Sequence, residues 1–370
     1  MKEPIRILHV IGKMDRGGAE TMIMNFYRKL DREKFQFDFL VFHEERGDYD
    51  DEIEKLGGRI YRLPVFLIYN YVSFRKHIKQ FFKENYWPIV HGHIRSSAAI
   101  YLSEAKKHRS YTIAHCHSTD SSNWLIRMMF HVLTYRIRYV ADYFLACSTE
   151  AGIAGFGKNV VSSDCFDVLF NAIDCGLYQY TEKRHADLKK KYNLQNKYVI
   201  GHVGRFATAK NHDLLINIFQ KLEQMDDDTV LILVGKGSLE EKIRKKVAQN
   251  HLQDKVIFMG LRKDIPDIMN LFDLFLFPSL YEGLGIVGIE AQAAGLPCIS
   301  SDTIPMNAIV TDNVTRISLN APIVEWVNTI QKYKKTFCRR DQSDCVKKSR
   351  YDIITETRKL EQLYSKGIGD

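Results

Sequence analysis

The chain has 370 residues, 45% of them hydrophobic and 26% charged, and 53 Lys and Arg against 45 Asp and Glu give it a net charge of +8. That length is enough for two domains with a core each, and the composition is ordinary for a soluble globular protein. No stretch is long and apolar enough to span a bilayer, and no secretory leader is expected, because the apolar run 5–11 leads straight into a glycine loop.

Strand and helix signals alternate twice along the chain. In the first half, strands are expected at 5–11, 35–42, 59–63, 89–93, 111–117 and 143–147, followed by an apolar segment ending at Phe170. In the second half they are expected at 198–203, 230–235, 256–259, 274–277 and 298–300. Helices between strands demand parallel pairing, so the pattern predicts an α/β protein with two doubly wound sheets joined near 171–180. No internal repeat interrupts it.

Candidate ligand-binding residues fall at the ends of these strands, where open α/β sheets bind ligands. After the first strand, Gly17 and Gly18 end a loop before a helix expected at 21–30, and their N–H groups suit an anion. Arg205 follows the strand 198–203, and Lys210 begins the next helix. A guanidinium fork and an ammonium point charge there can balance charge on a diphosphate. Val234-Gly235-Lys236-Gly237 is a further strand end with glycines, and Arg262 lies in the loop after 256–259.

The richest segment runs from the apolar strand Leu274-Phe275-Leu276-Phe277 through Ser279 and Glu282 to Gly283, Leu284, Gly285, Ile286 and Glu290. Glycines let the backbone approach a ligand, and the N–H groups of Leu284, Gly285 and Ile286 can face a diphosphate. Two carboxylates beside such a site would repel phosphate. Glu282 and Glu290 are therefore expected to accept hydrogen bonds from neutral hydroxyls, on a ribose and on a hexose.

Gly17-Gly18-Ala19-Glu20, Phe170-Asn171-Ala172-Ile173-Asp174, Val203-Gly204-Arg205-Phe206 with Lys210-Asn211-His212, and the Glu282-x7-Glu290 pair occur in the order found in retaining GT-B glycosyltransferases of family 4. The chain resembles that family, in its capsular and exopolysaccharide form, over nearly its whole length. The resemblance implies two Rossmann-like domains facing across a cleft. An acceptor domain would span 1–175, with a final helix near 349–370 packing back on it, and a nucleotide-sugar domain would span 176–348. It further implies retaining transfer of a hexose from a nucleoside diphosphate sugar, with UDP the expected nucleotide, to a lipid-linked saccharide. Arg205 and Lys210 would neutralise the leaving group, Arg262 and Gly235 would border the nucleotide, and His117 would contact the acceptor or donor sugar, while His115 packs inside. The loop after Pro297, Ser301-Asp302-Thr303-Ile304-Pro305-Met306-Asn307-Ala308, departs from the Gly- and Glu-containing segment of many relatives, which sets aside the contacts drawn from it.

No metal or cofactor is expected. His91, His93, His115, Cys116 and His117 invite a zinc reading, but each strand offers only two imidazoles to one side. Asp48-Tyr49-Asp50 and Asp226-Asp227-Asp228 have the letters of a metal-binding carboxylate pair, yet both read as solvated loops. The seven cysteines show no CxxC pair and are expected to be reduced, in a cytoplasmic protein. Between 51 and 150, 14 Lys and Arg oppose 8 Asp and Glu, and the segments 66–87 and 124–139, the latter with Arg127, Arg136 and Arg138, add aromatic bulk. That combination predicts contact with an anionic membrane surface at the inner face of the cell membrane. Nucleic acid is not expected, because no recognition motif accompanies the charge. The alternatives are a catalytically silent nucleotide-sugar-binding scaffold and a GT-B-like UDP-sugar 2-epimerase.

Overall fold

The computed structural model describes residues 3–117 and 134–369. Most of the segment 124–139 therefore lies outside the described residues. The chain divides into two compact units, Met1–Ala172 with Ile353–Asp370, and Ile173–Asp352.

The first unit carries seven parallel strands: β1 (Ile5–Ile11), β2 (Phe35–Val41), β3 (Ile60–Arg62), β4 (Ile89–Gly92), β5 (Tyr111–Cys116), β6 (Tyr143–Ala146) and β7 (Phe166–Val168), in the order β3-β2-β1-β4-β5-β6-β7. Both faces are covered. Phe26, Tyr27 and Met24 of the helix Gly18–Lys29 pack on one side, and Phe74, Ile78 and Phe82 of the helix Tyr71–Glu84 on the other. This double covering is why the strands read as continuous apolar runs.

The helix Ile353–Gly367 belongs to this unit. Ile353, Leu360 and Tyr364 enter its core, Glu356 accepts the Phe170 N–H at 2.8 Å, and Lys359 donates to the Val168 carbonyl at 2.8 Å. The division falls at 172/173 rather than at 175/176, because Ile173 donates its N–H to the Tyr351 carbonyl and bridges to Asp352, which tie it to the second unit. Ile353 is 1% exposed, so Ile353→Val is expected to lower unfolding free energy by about 1 kcal/mol in chemical denaturation.

The second unit has six parallel strands: β8 (Tyr198–Val203), β9 (Thr229–Val234), β10 (Val256–Gly260), β11 (Leu274–Phe277), β12 (Cys298–Ser301) and β13 (Val314–Ile317), ordered β10-β9-β8-β11-β12-β13. Strand β13 escapes the sequence pattern. It is four residues long, lies at the sheet edge and buries only Ile317, so it carries no alternation to detect. In both sheets the strand order reverses beside the first strand, at β1/β4 and at β8/β11. Such a switch point opens a crevice at the carboxyl ends of the strands.

Candidate active site

In the second unit, the loops leaving β8 and β11 meet at the switch point. The Leu280 N–H bonds the Ala209 carbonyl at 2.8 Å, which locks the two loops together. Lys210 ends a 3-10 turn, Thr208–Lys210, and Asn211 then takes a left-handed conformation with φ +52° and caps the helix His212–Glu223. From this turn Lys210 Nζ reaches Glu282 Oε1 at 2.6 Å, with both side chains mostly buried. Ser279 Oγ donates to the same oxygen at 2.7 Å, and the ammonium lies 5.2 Å from the centre of the Phe277 ring. Glu282 is thus an oriented, ion-paired acceptor. The Arg205 side chain is exposed and has no ion-pair partner among the described residues.

Gly285 caps the helix Ile286–Ala293 at φ +78°, a left-handed conformation that favours glycine. The first N–H groups of that helix have no partner within it, so this end suits an anion. Glu290 lies on the same helix, and burial pushes its carboxyl up to about 7 against opposing contributions from a Tyr178 hydrogen bond and the Lys210 charge. Gly235 sits at φ +141°, and a Cβ there would stand 2.1 Å from the Gly204 carbonyl oxygen. Only glycine lets the end of β9 close on the Gly204-Arg205 turn.

Other candidates are already engaged. Arg262 pairs bidentately with Asp264, at 2.8 and 2.6 Å, and donates to Tyr192 Oη at 2.9 Å. The loop after β12 supports the site: the Ser301 and Thr303 hydroxyls donate to the Ser279 carbonyl at 2.6 and 2.8 Å, fixing the turn that carries Glu282. Two aspartates read as solvated are not. Asp50 is 1% exposed and pairs with Arg62 at 2.5 Å, and Asp226 pairs with Lys334 at 2.5 Å. All seven cysteines are unpaired.

In the first unit, Gly17 caps and Gly18 begins the helix Gly18–Lys29, three residues earlier than expected. A Cβ on Gly17 would meet the Glu20 carboxylate, whereas one on Gly18 meets nothing within 4 Å. His117 follows β5 and His93 follows β4, and their rings are bonded at 2.7 Å from His117 Nε2 to His93 Nδ1. His115 is buried. The expectation of two imidazoles per side fails here, because adjacent strands add theirs: His9 on β1 joins His91 and His93, and His115 and His117 lie beside them. Sequence reasoning placed Ser279 in the richest segment without a role and missed Tyr178, His9 and Tyr364. Ser279 was within reach, three residues from Glu282; the others meet their partners only through the fold.

Two doubly wound parallel units with ligand-suited loops at their switch points are the architecture of the GT-B glycosyltransferases. A solved structure of HepE from Anabaena in complex with UDP-glucose superposes with a TM-score of 0.79 at 18% identity, covering 98% of this chain and 99% of that one. The family description "Glycosyltransferase Family 4" matches residues 16–175, and "Glycosyl transferases group 1" matches 184–349. "Putative glycosyltransferase EpsF" of Bacillus subtilis (strain 168) is 36% identical over 335 residues, covering 88% of this chain and 87% of EpsF. "Capsular polysaccharide biosynthesis glycosyltransferase CapH" of Staphylococcus aureus is 26% identical over 379 residues, covering 97% and 98%. The chain belongs to glycosyltransferase family 4, and it is a transferase.

Proposed function

We propose that this enzyme moves a hexose from UDP-sugar, with retention and without a metal, to a hydroxyl of a lipid-linked saccharide in exo- or capsular polysaccharide biosynthesis. The observation that carries the reading is the Lys210–Glu282 pair held by Ser279 beside the helix start at Gly285. Once a donor enters, Lys210 and Arg205 take the diphosphate charge, with Leu284, Gly285 and Ile286 supplying N–H groups. Glu282 accepts from the transferring hexose and Glu290 from the ribose. Arg262 and Gly235 border the nucleotide, and Gly17, Gly18 and His117 of the first unit contact the substrates. Two cationic side chains replace a divalent ion as the balance for the leaving group. A departing phosphate oxygen takes the acceptor proton. The name of CapH supports the pathway, and the UDP-glucose complex of HepE supports the nucleotide.

The donor is tested by thermal shift with UDP, GDP and ADP, each with and without EDTA. UDP at 100 times its dissociation constant is expected to add about 2.7 kcal/mol of stability, unchanged by EDTA. Selective response to GDP would replace the base, loss of the response with EDTA would refute metal independence, and no response to any nucleotide would refute the nucleotide-sugar site.

The lipid-linked acceptor is supported by one surface of the first unit. Ile68, Tyr69 and Val72 are 62%, 86% and 80% exposed, beside exposed Arg75, Lys76, Lys79 and Lys83 on the helix Tyr71–Glu84. Leu67, Tyr71 and Tyr86 of this segment are exposed as well, whereas Phe74, Ile78, Phe81, Phe82 and Trp87 are core. Among the described residues no helix is long and apolar enough to cross a membrane. Apolar tips flanked by cations suit an anionic lipid surface. The enzyme is expected to cosediment with vesicles containing anionic lipid and not with neutral ones, and a combined Ile68→Ser, Tyr69→Ser, Val72→Ser variant is expected to lose about tenfold in binding. Equal binding by the variant would exclude this surface.

A further inference from the structure

Five histidines and one tyrosine of the first unit form a single unbranched hydrogen-bonded row. They stand on or just after the adjacent strands β1, β4 and β5, and the helix Ile353–Gly367 supplies Tyr364. His117 Nε2 meets His93 Nδ1 at 2.7 Å, His93 Nε2 meets His9 Nδ1 at 2.9 Å, and His9 Nε2 meets Tyr364 Oη at 3.5 Å, the longest link. Tyr364 Oη then meets His91 Nδ1 at 2.9 Å, and His91 Nε2 meets His115 Nδ1 at 3.2 Å. Only the two ends remain. His115 Nε2 is buried with no partner, and His117 Nδ1 has none among the described residues.

Burial lowers the basicity of all five rings, to about 4 for His117 and about 3 for His9, so each is neutral near pH 7. A neutral imidazole has one N–H and one lone pair. Each link needs one proton, so its direction is the same along the whole row, and the five tautomers are set together. If every ring is protonated on Nε2, His117 offers a lone pair and His115 buries an unpaired N–H. If every ring is protonated on Nδ1, His117 offers an N–H and His115 buries only a lone pair. Orphaned buried N–H groups are the rarer and costlier of the two, which selects the second state.

We infer that Tyr364 and the four inner histidines are positioning residues that lock His117 as an Nδ1–H donor toward a substrate oxygen. In that state His117 donates a hydrogen bond and has no outward lone pair to act as a general base. The inference rests on the reading of His117 as a substrate contact. A metal centre fits the same rings less well. Ligands of a tetrahedral zinc ion stand roughly 3.3 Å apart when Zn–N is about 2.0–2.1 Å, whereas the facing histidine nitrogens are in hydrogen-bond contact at 2.7 to 3.2 Å.

Long-range proton–nitrogen NMR of the 15N-histidine-labelled enzyme near pH 7 decides the matter, with His117→Ala used to assign its signals. The five cluster rings are expected in the Nδ1–H form. His93→Ala removes the partner of His117 Nε2 and leaves that nitrogen to solvent, so it is expected to return His117 toward the Nε2–H form that free imidazole favours. Turnover of that variant should fall about tenfold at unchanged donor KM, with no further loss on a His117→Ala background. An Nε2–H His117 in the wild-type enzyme would overturn the lock, as would a His117 signal indifferent to His93→Ala. Stoichiometric zinc that shifts the cluster signals and raises the melting temperature would overturn it in favour of a metal site. Full turnover by His117→Ala, with the wild-type tautomers as expected, would instead remove the substrate contact and leave the lock standing.

Discussion

Lys210→Ala is expected to lower turnover by about 100-fold or more, because neutralising a departing diphosphate is a transition-state effect. The same change strips Glu282 of its ion-pair partner, and the two side chains are only 17% and 12% exposed. Leaving one charge of a poorly hydrated pair uncompensated destabilises the fold, so a rate loss by itself would not separate catalysis from folding. The double variant Lys210→Met with Glu282→Gln separates them. It removes both charges while keeping Ser279 a partner for the amide, so it is expected to recover most of the lost melting temperature and none of the turnover. Glu282→Gln alone should reduce kcat more than donor affinity, because its hydrogen bond falls on the transferring sugar. Steady-state kinetics with parallel melting curves make the measurement. A wild-type rate in Lys210→Ala would remove the lysine from the mechanism, and recovery of both rate and stability in the double variant would make the pair structural.

Glu290→Gln is expected to stabilise the enzyme above neutral pH while weakening nucleotide binding. Burial lifts the Glu290 carboxyl from an ordinary value of 4.5 to about 7. A carboxyl with a raised folded pKa binds its proton more tightly in the folded state. Its contribution to stability is complete below about pH 4.5 and is lost as pH rises through 7. The shift corresponds to at most about 3 kcal/mol, and glutamine, which never ionises, escapes the loss. The difference between variant and wild type in urea denaturation should be small near pH 5 and grow to its full size by pH 8. UDP affinity should fall about tenfold in the variant, since the carboxylate acceptor for the ribose is gone. A stability difference independent of pH would show that Glu290 ionises freely, and unchanged UDP affinity would place the ribose elsewhere. A side chain that costs stability at working pH is what a ligand-binding acid held in a poorly hydrated place looks like.

Much of the site was legible because its parts are local in sequence. Glu282, Gly285 and Glu290 share one strand–turn–helix segment, and Arg205 and Lys210 follow one buried strand, so periodicity and glycine placement located them. The lateral assembly was not legible. Strand order decides that β1, β4 and β5 stand side by side, and only that order turns His9, the two imidazoles on and just after β4 and the two on and just after β5 into one row. Asp50 shows the same limit from the other side: its neighbours in sequence are charged and read as a solvated loop, yet Arg62, brought over by β3, makes it a buried ion pair. Tyr178 and Tyr364 have no sequence signal at all, because each meets its histidine or carboxylate partner across a gap of more than a hundred residues.

The sequence by itself determined the two doubly wound sheets, the strand ends that carry the candidate residues, and the family, because apolar runs, glycine turns and short motifs are properties of contiguous residues. The tertiary structure alone decided which charges meet, which acids lose their water and which imidazoles share protons. Those outcomes depend on distances between residues far apart in the chain, and burial and strand order, which no local pattern encodes, set those distances.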